Sequence, residues 1–169
     1  AGPSPSVPRH APGERATLTA RPTRYTVAWD HFLRGNHAMG RRSARALSTA
    51  LIEYETALAH DSGFAAAQAR IAYVYSLGAF YGVEDVPHDS LIPRGERAAD
   101  RALLLDPNSS DAWLAWGFLR TTGTAHGMPE ARTAMERAVQ LDPRNAEAFH
   151  QLGQVYTFLD DDSAAIVSY

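Results

Sequence analysis

The chain has no cysteine, which excludes disulfides, thiol catalysis and Cys-ligated metals. It has no lysine either: all 16 basic residues are arginine. Schiff-base chemistry, the lysine of a phosphate loop and the strand lysine of a kinase are excluded together. No apolar run approaches the roughly 20 residues that cross a bilayer. The opening stretch, AGPSPSVPRHAPGE, lacks the apolar centre of a signal peptide. Net charge is −3 with no strongly basic face expected, so neither nucleic acid nor membrane insertion is expected. Gly-x-Ser-x-Gly and glycine-rich phosphate loops are absent, and nothing marks an enzyme. His-Glu-x-x-His is absent too. The nearest histidine pair, His31 and His37, is six apart, so no metal or cofactor is expected. Asp160–Ser163 lacks the glycine and distal glutamate of a calcium loop and reads as a turn and helix cap. The first residue is Ala1, which reads as a piece excised or processed from a longer chain.

What is present is helix. At 169 residues the chain is one domain or a short array. Residues 1–22 hold five prolines (Pro3, Pro5, Pro8, Pro12, Pro22) and read as a flexible or extended arm. From Tyr25 onward alanine is dense and apolar residues recur at helical spacing. Leu47, Ala50, Leu51, Tyr54, Ala57 and Leu58 share one face; so do Phe149, Leu152, Tyr156 and Leu159. No segment alternates at period two, so the class is all-α. A first helix over 25–39 should bury Trp29, Phe32 and Leu33.

The chain also repeats itself. Leu105-Asp106-Pro107 returns as Leu141-Asp142-Pro143, the prolines 36 residues apart, and His60-Asp61-Ser62 is a weaker copy. Before each phrase stand Gly95-x3-Ala99-x2-Ala102, Ala131-x3-Met135-x2-Ala138 and Ala50-x3-Tyr54-x2-Ala57. After each come Trp113-x2-Trp116-Gly117-x2-Arg120, Phe149-x2-Leu152-Gly153-x2-Tyr156 and Gln68-x2-Ile71-Ala72-x2-Tyr75. Small residues suit the crossing of two helices, and proline ends a helix at the residue before it. Ser, Asp or Asn at 108–111, and Asn145, then offer caps for the next helix.

This pattern resembles the tetratricopeptide repeat, whose letters are aromatic-x2-Leu-Gly-x2-Tyr, then Ala-x3-Phe, then Pro. The resemblance implies a right-handed α-α superhelix, a solenoid of about three and a half hairpins preceded by the arm. The array would span 23–169, with hairpins near 25–61, 62–106, 107–142 and a shortened 143–169. The wider string from Arg21 to Tyr75 is similar to arrays appended to bacterial signalling proteins: serine/threonine kinases, adenylate cyclases and winged-helix regulators. Two departures stand out. Arg120 replaces the usual tyrosine, and Tyr75 to Gly95 spans 20 residues, an insertion.

The family's groove positions fall on Arg70, Tyr73, Asp111, Leu114, Phe118, Glu147, His150, Gln151 and Gln154. The resemblance implies that this concave face binds a peptide or partner protein, as a non-catalytic scaffold or sensor of a signalling protein. An ordinary solvated surface is the plainer reading. With no lysine anywhere, the carboxylate clamp of chaperone-tail binders is not expected. The insertion carries Phe80, Tyr81, Val83 and Val86, as a partner-contacting loop or as a lid folded back on its own hairpin. Asp89 or Ser90 should cap the helix after it, with Pro93 in the first turn. Trp113 and Trp116 read as packing residues rather than a ligand cage, and Arg41–Arg45 as a solvated basic turn. Two other functions stay open: self-association through the C-terminal hairpin, and a small-molecule or metal-binding regulatory domain. Nothing fixes the compartment.

Overall fold

A computed structural model describes residues 23–123 and 127–159. The described residues form seven helices and no strands: α1 Thr26–Met39, α2 Ala44–His60, α3 Ala65–Tyr81, α4 His88–Leu105, α5 Ser110–Gly123, α6 Met128–Leu141 and α7 Ala146–Phe158. Helices α1–α2, α3–α4 and α5–α6 pack as hairpins, and α7 packs on α5 and α6. The architecture is an all-α solenoid of helical hairpins. The 1–22 arm, the Asp160–Ser163 turn and the second helix of the last hairpin lie outside the described residues.

The three joints between hairpins are built alike. Asp61, Asp106 and Asp142 are extended at their helix ends, as proline after two of them requires. Each carboxylate accepts from the backbone two residues on: Gly63 N at 3.1 Å, Asn108 N at 3.0 Å and Arg144 N at 3.0 Å. Ser109 and Asn145 then cap α5 and α7, accepting from Ala112 N at 3.2 Å and Ala148 N at 3.1 Å. The aspartate of the recurring phrase is thus the turn-former, and the following Ser or Asn starts the next helix.

Small residues set the helix crossings. A Cβ on Gly117 would stand 3.1 Å from both Ala134 Cβ and Met135 Cγ of α6. In the first hairpin Gly35 does this work, although the repeat pattern is faint there. A Cβ on it would fall 2.4 Å from the Tyr54 ring, whose hydroxyl donates to Asn36 Oδ1 at 2.7 Å. Helix α3 is buried nearly all round, from Ala67 through Gly78, because α2, α4 and α5 all pack against it. Trp113 and Trp116 pack against the core; Trp113 Nε1 donates to Pro107 O at 2.9 Å. Arg120, in the place of the usual tyrosine, lies 4.3 Å over the Trp116 ring and pairs with Glu96 of α4.

Three local expectations need correction. Leu33 is 46% exposed; Ala28, Phe32 and Gly35 make the buried face of α1, with Trp29 only partly covered. The 76–95 insertion is mostly helix. It lengthens α3 to Tyr81 and starts α4 at His88, leaving six residues between, with Val83 buried and Val86 partly so. Neither Asp89 nor Ser90 caps α4. Both lie inside it, Ser90 Oγ donates to Pro87 O at 2.8 Å, and Pro93 is the sixth helical residue. The early start brings Leu91 into full burial beside Gly78, and this packing outweighs the hydrogen bond that Pro93 cannot donate.

Candidate functional site

Helices α3, α5 and α7 lie side by side, and their shared face carries the groove residues. Neighbouring helix axes are about 8–10 Å apart, so a flat row would hold α3 and α7 roughly 18 Å apart. Yet Tyr73 of α3 donates its hydroxyl directly to Glu147 of α7. Side chains of the two outer helices thus meet across α5 on this face.

One end of the groove is charged. Arg70 Nη2 meets Asp111 Oδ2 at 3.0 Å, linking α3 to α5. Asn145, besides capping α7, donates to Ser110 Oγ at 2.9 Å and Asp111 Oδ1 at 3.2 Å. Glu147 accepts from Tyr73, from Gln151 Nε2 at 3.1 Å, and from Arg42 Nη2 at 3.2 Å. Burial alone would raise the Glu147 pKa. The bonds from Tyr73 and Gln151, with the charges of Arg42 and His150, outweigh it and hold the carboxyl below its ordinary range. Tyr73 is pushed far up, first by burial and then by donating to Glu147. The pair is a fixed carboxylate with a protonated phenol.

The other end is aromatic. Phe80 is 65% exposed and stacks on Phe118 at 5.9 Å; Phe118 in turn meets Tyr73 at 5.7 Å. With Phe158, which is 59% exposed, Phe80 and Phe118 border a cleft of about 200 Å³. Thr121, Met128, Val155, Gln151 and Gln154 complete it. Phe80 is on the last turn of α3, not in a loop, and Tyr81 beside it does not line the cleft.

The nine groove positions lie on α3, α5 and α7, in three different states. His150 and Gln154 are exposed and joined at 3.1 Å. Arg70, Asp111 and Glu147 are half-buried in ion pairs within the chain. Tyr73, Leu114, Phe118 and Gln151 are buried, and Leu114, 1% exposed, presents nothing to solvent. Sequence reasoning missed Arg42, Asn145, Val155 and Phe158. Phe158 carries a signal, standing one helical turn beyond Gln154 on the same face. Arg42 carries none, since only the folded chain brings the 41–45 turn to α7. Among the described residues no three His, Cys, Asp or Glu are grouped to hold a metal, and no helix is long and apolar enough to cross a membrane.

No family model matches the sequence, and no curated protein matches it. Solved structures do. The first tetratricopeptide domain of Spaghetti (RPAP3), bound to the HSP90 peptide SRMEEVD, superposes with a TM-score of 0.60 at 18% identity, over 82% of this chain and 99% of that one. This chain has the fold of a tetratricopeptide-repeat domain. The tetratricopeptide domain of Arabidopsis OM64 gives 0.57 at 17%, over 79% and 97%. The second such domain of human RPAP3, in complex with the HSP70 peptide SGPTIEEVD, gives 0.53 at 23%, over 78% and 93%. At these identities the likeness is one of fold.

Proposed function

We propose that this tetratricopeptide array is a non-catalytic interaction module that binds a peptide or partner protein in the α3–α5–α7 groove. The observation that carries the reading is the open aromatic cleft at Phe80, Phe118 and Phe158. Exposed aromatics cost solvation unless something covers them, and two rings on separate helices already hold the offset that an apolar side chain would extend. Gln154, exposed at the same cleft, can hydrogen-bond a peptide backbone. Arg70, Asp111 and Glu147 act chiefly by holding the three helices in register. Two structural neighbours are tetratricopeptide domains in complex with peptides, which supports peptide binding as the role; the chemistry here would differ, since this chain has no lysine. The resemblance of Arg21–Tyr75 to arrays appended to bacterial signalling proteins is what suggests a place in a bacterial signalling or regulatory protein.

The test is selection of peptides from a random library on the wild-type chain, followed by calorimetry. Phe80 and Gln154 are exposed, so Phe80→Ala with Gln154→Ala leaves the core intact. Selected peptides rich in apolar anchors should bind that double variant at least tenfold more weakly. Unchanged affinity would show that the groove is not the site.

A further inference from the structure

A second and larger cleft, of about 600 Å³, runs along the seam between α1 and α2. It is not part of the groove. On α2, Leu51 faces Val83 and Leu58 faces Ile71 and Tyr75, all of the second hairpin. Ala46 and Glu53 line the cleft and stand about half a helical turn around from these, with Thr49 at the edge between the two sides. On α1, Phe32 meets Phe64 at 4.9 Å, whereas Arg34 and His37 line the cleft, joined by Arg41 from the turn that follows. The cleft is therefore on the side of the first hairpin away from the rest of the stack.

Its chemistry is apolar below and cationic around. Leu33, Ala38 and Ala46 make the floor. Arg34, Arg41, Arg45 and His37 stand against one carboxylate, Glu53, which is already taken by His31 Nδ1 at 2.7 Å. The side chains of Arg34, His37 and Arg41 make no ion pair or hydrogen bond among the described residues; Arg45 reaches Glu84 at 3.6 Å while largely exposed. Ser43, the N-cap of α2, also lines the cleft, so the positive end of that helix adds to the field. All this stands in a chain of net charge −3. Among the described residues Arg34 and Arg41 have no carboxylate partner, and two such cations beside exposed leucine attract an anion.

We infer that this cleft docks an acidic amphipathic helix of a partner protein, its carboxylates on Arg34, His37 and Arg41 and its apolar face on Leu33 and Ala38. The shape fits a helix because a seam between two antiparallel helices is the surface on which each hairpin of this stack receives the next. The charge selects the occupant. The chain's own 1–22 arm carries Arg9, His10, Arg15 and Arg21 against a single acid, Glu14, and so has the wrong sign.

Fluorescence anisotropy on the full chain tests it. The probe is a fluorescein-labelled helical peptide of leucine and glutamate at i, i+3 and i+4 spacing; its counterpart carries lysine for glutamate. The glutamate peptide should bind, weaken as salt rises, and lose at least tenfold in affinity with Arg34→Glu plus Arg41→Glu. Both positions are exposed, and circular dichroism checks that the double variant keeps its helix. Phe80→Ala should change binding less than twofold, which separates this cleft from the groove. No saturable binding, equal binding of the lysine peptide, or full binding to the double variant would overturn the assignment. So would a mass that rises with concentration in light scattering and falls back in the double variant, because a second copy, whose Asp160–Asp162 is acidic, would then be the occupant.

Discussion

Arg42 and Glu147 are 105 residues apart in the chain and 3.2 Å apart in space. The first is in the turn between α1 and α2, the second on the first turn of α7. Their pair joins the first hairpin to the last described helix and closes the charged end of the groove. Arg42 is also left-handed, with φ 42°. The guanidinium side chain is 46% exposed, which places the pair among those contributing about 0.2–1 kcal/mol. Arg42→Ala should lower stability by about 0.5 kcal/mol in chemical denaturation, and less at high salt. Arg42→Gly loses the same pair but relieves the left-handed backbone, and should be at least as stable as the alanine variant.

Gly35 is predicted to tolerate no side chain. Gly35→Ala gains helix propensity of about 1 kcal/mol, but its Cβ meets a fully buried Tyr54 ring that has nowhere to move. Net destabilisation of about 1–3 kcal/mol is expected by urea titration. Gly40→Ala is the control. Its Cβ finds its nearest neighbour at an ordinary 3.5 Å, and it should change stability by about 0.5 kcal/mol or less.

Glu147 predicts an acid-side dependence. Its folded pKa lies below the ordinary value, so the stability it contributes is fully present above the unfolded carboxylate pKa of about 4.3. That contribution is lost as pH falls through the lower, folded pKa. The melting-temperature gap between wild type and Glu147→Gln should be constant from neutral pH down to mildly acidic pH, then shrink. A gap that widens on acidification would contradict the sign.

Asn145 serves two elements at once, capping α7 and donating to Ser110 and Asp111 of α5. Asn145→Ala should cost about 1–2 kcal/mol, more than a cap alone. Asn145→Asp keeps the cap but puts a carboxylate against Asp111, and should be intermediate in thermal melts.

Much of the fold could be read in the chain because the repeat is a packing rule. Gly117, Ala131 and Ala138 are small where helices cross, and Asp-Pro followed by Ser or Asn is a complete stop-and-start signal. The first hairpin hid its rule: Gly35 lacks the frame that marks the others, Trp113 and Trp116 before Gly117 and Phe149 and Leu152 before Gly153. The insertion misled because its turn residues, Gly82 and Pro87, are only five apart, and the apolar text on either side is helix that Leu91 and Val83 pin down. In the groove, spacing picked out residues of α3, α5 and α7. It could not say that Leu114 is covered, that Arg70 is spent on Asp111, or that Arg42 arrives from a hairpin away, since those depend on the packing of the stack.

The most direct measurement of the central claim is amide chemical-shift mapping of a library-selected peptide on the isotope-labelled chain. The largest changes should cluster on Phe80, Phe118, His150, Gln154 and Phe158, with smaller ones at Tyr73 and Glu147. Changes confined to α4 and α6, or spread evenly over all seven helices, would show that binding does not take place in the groove.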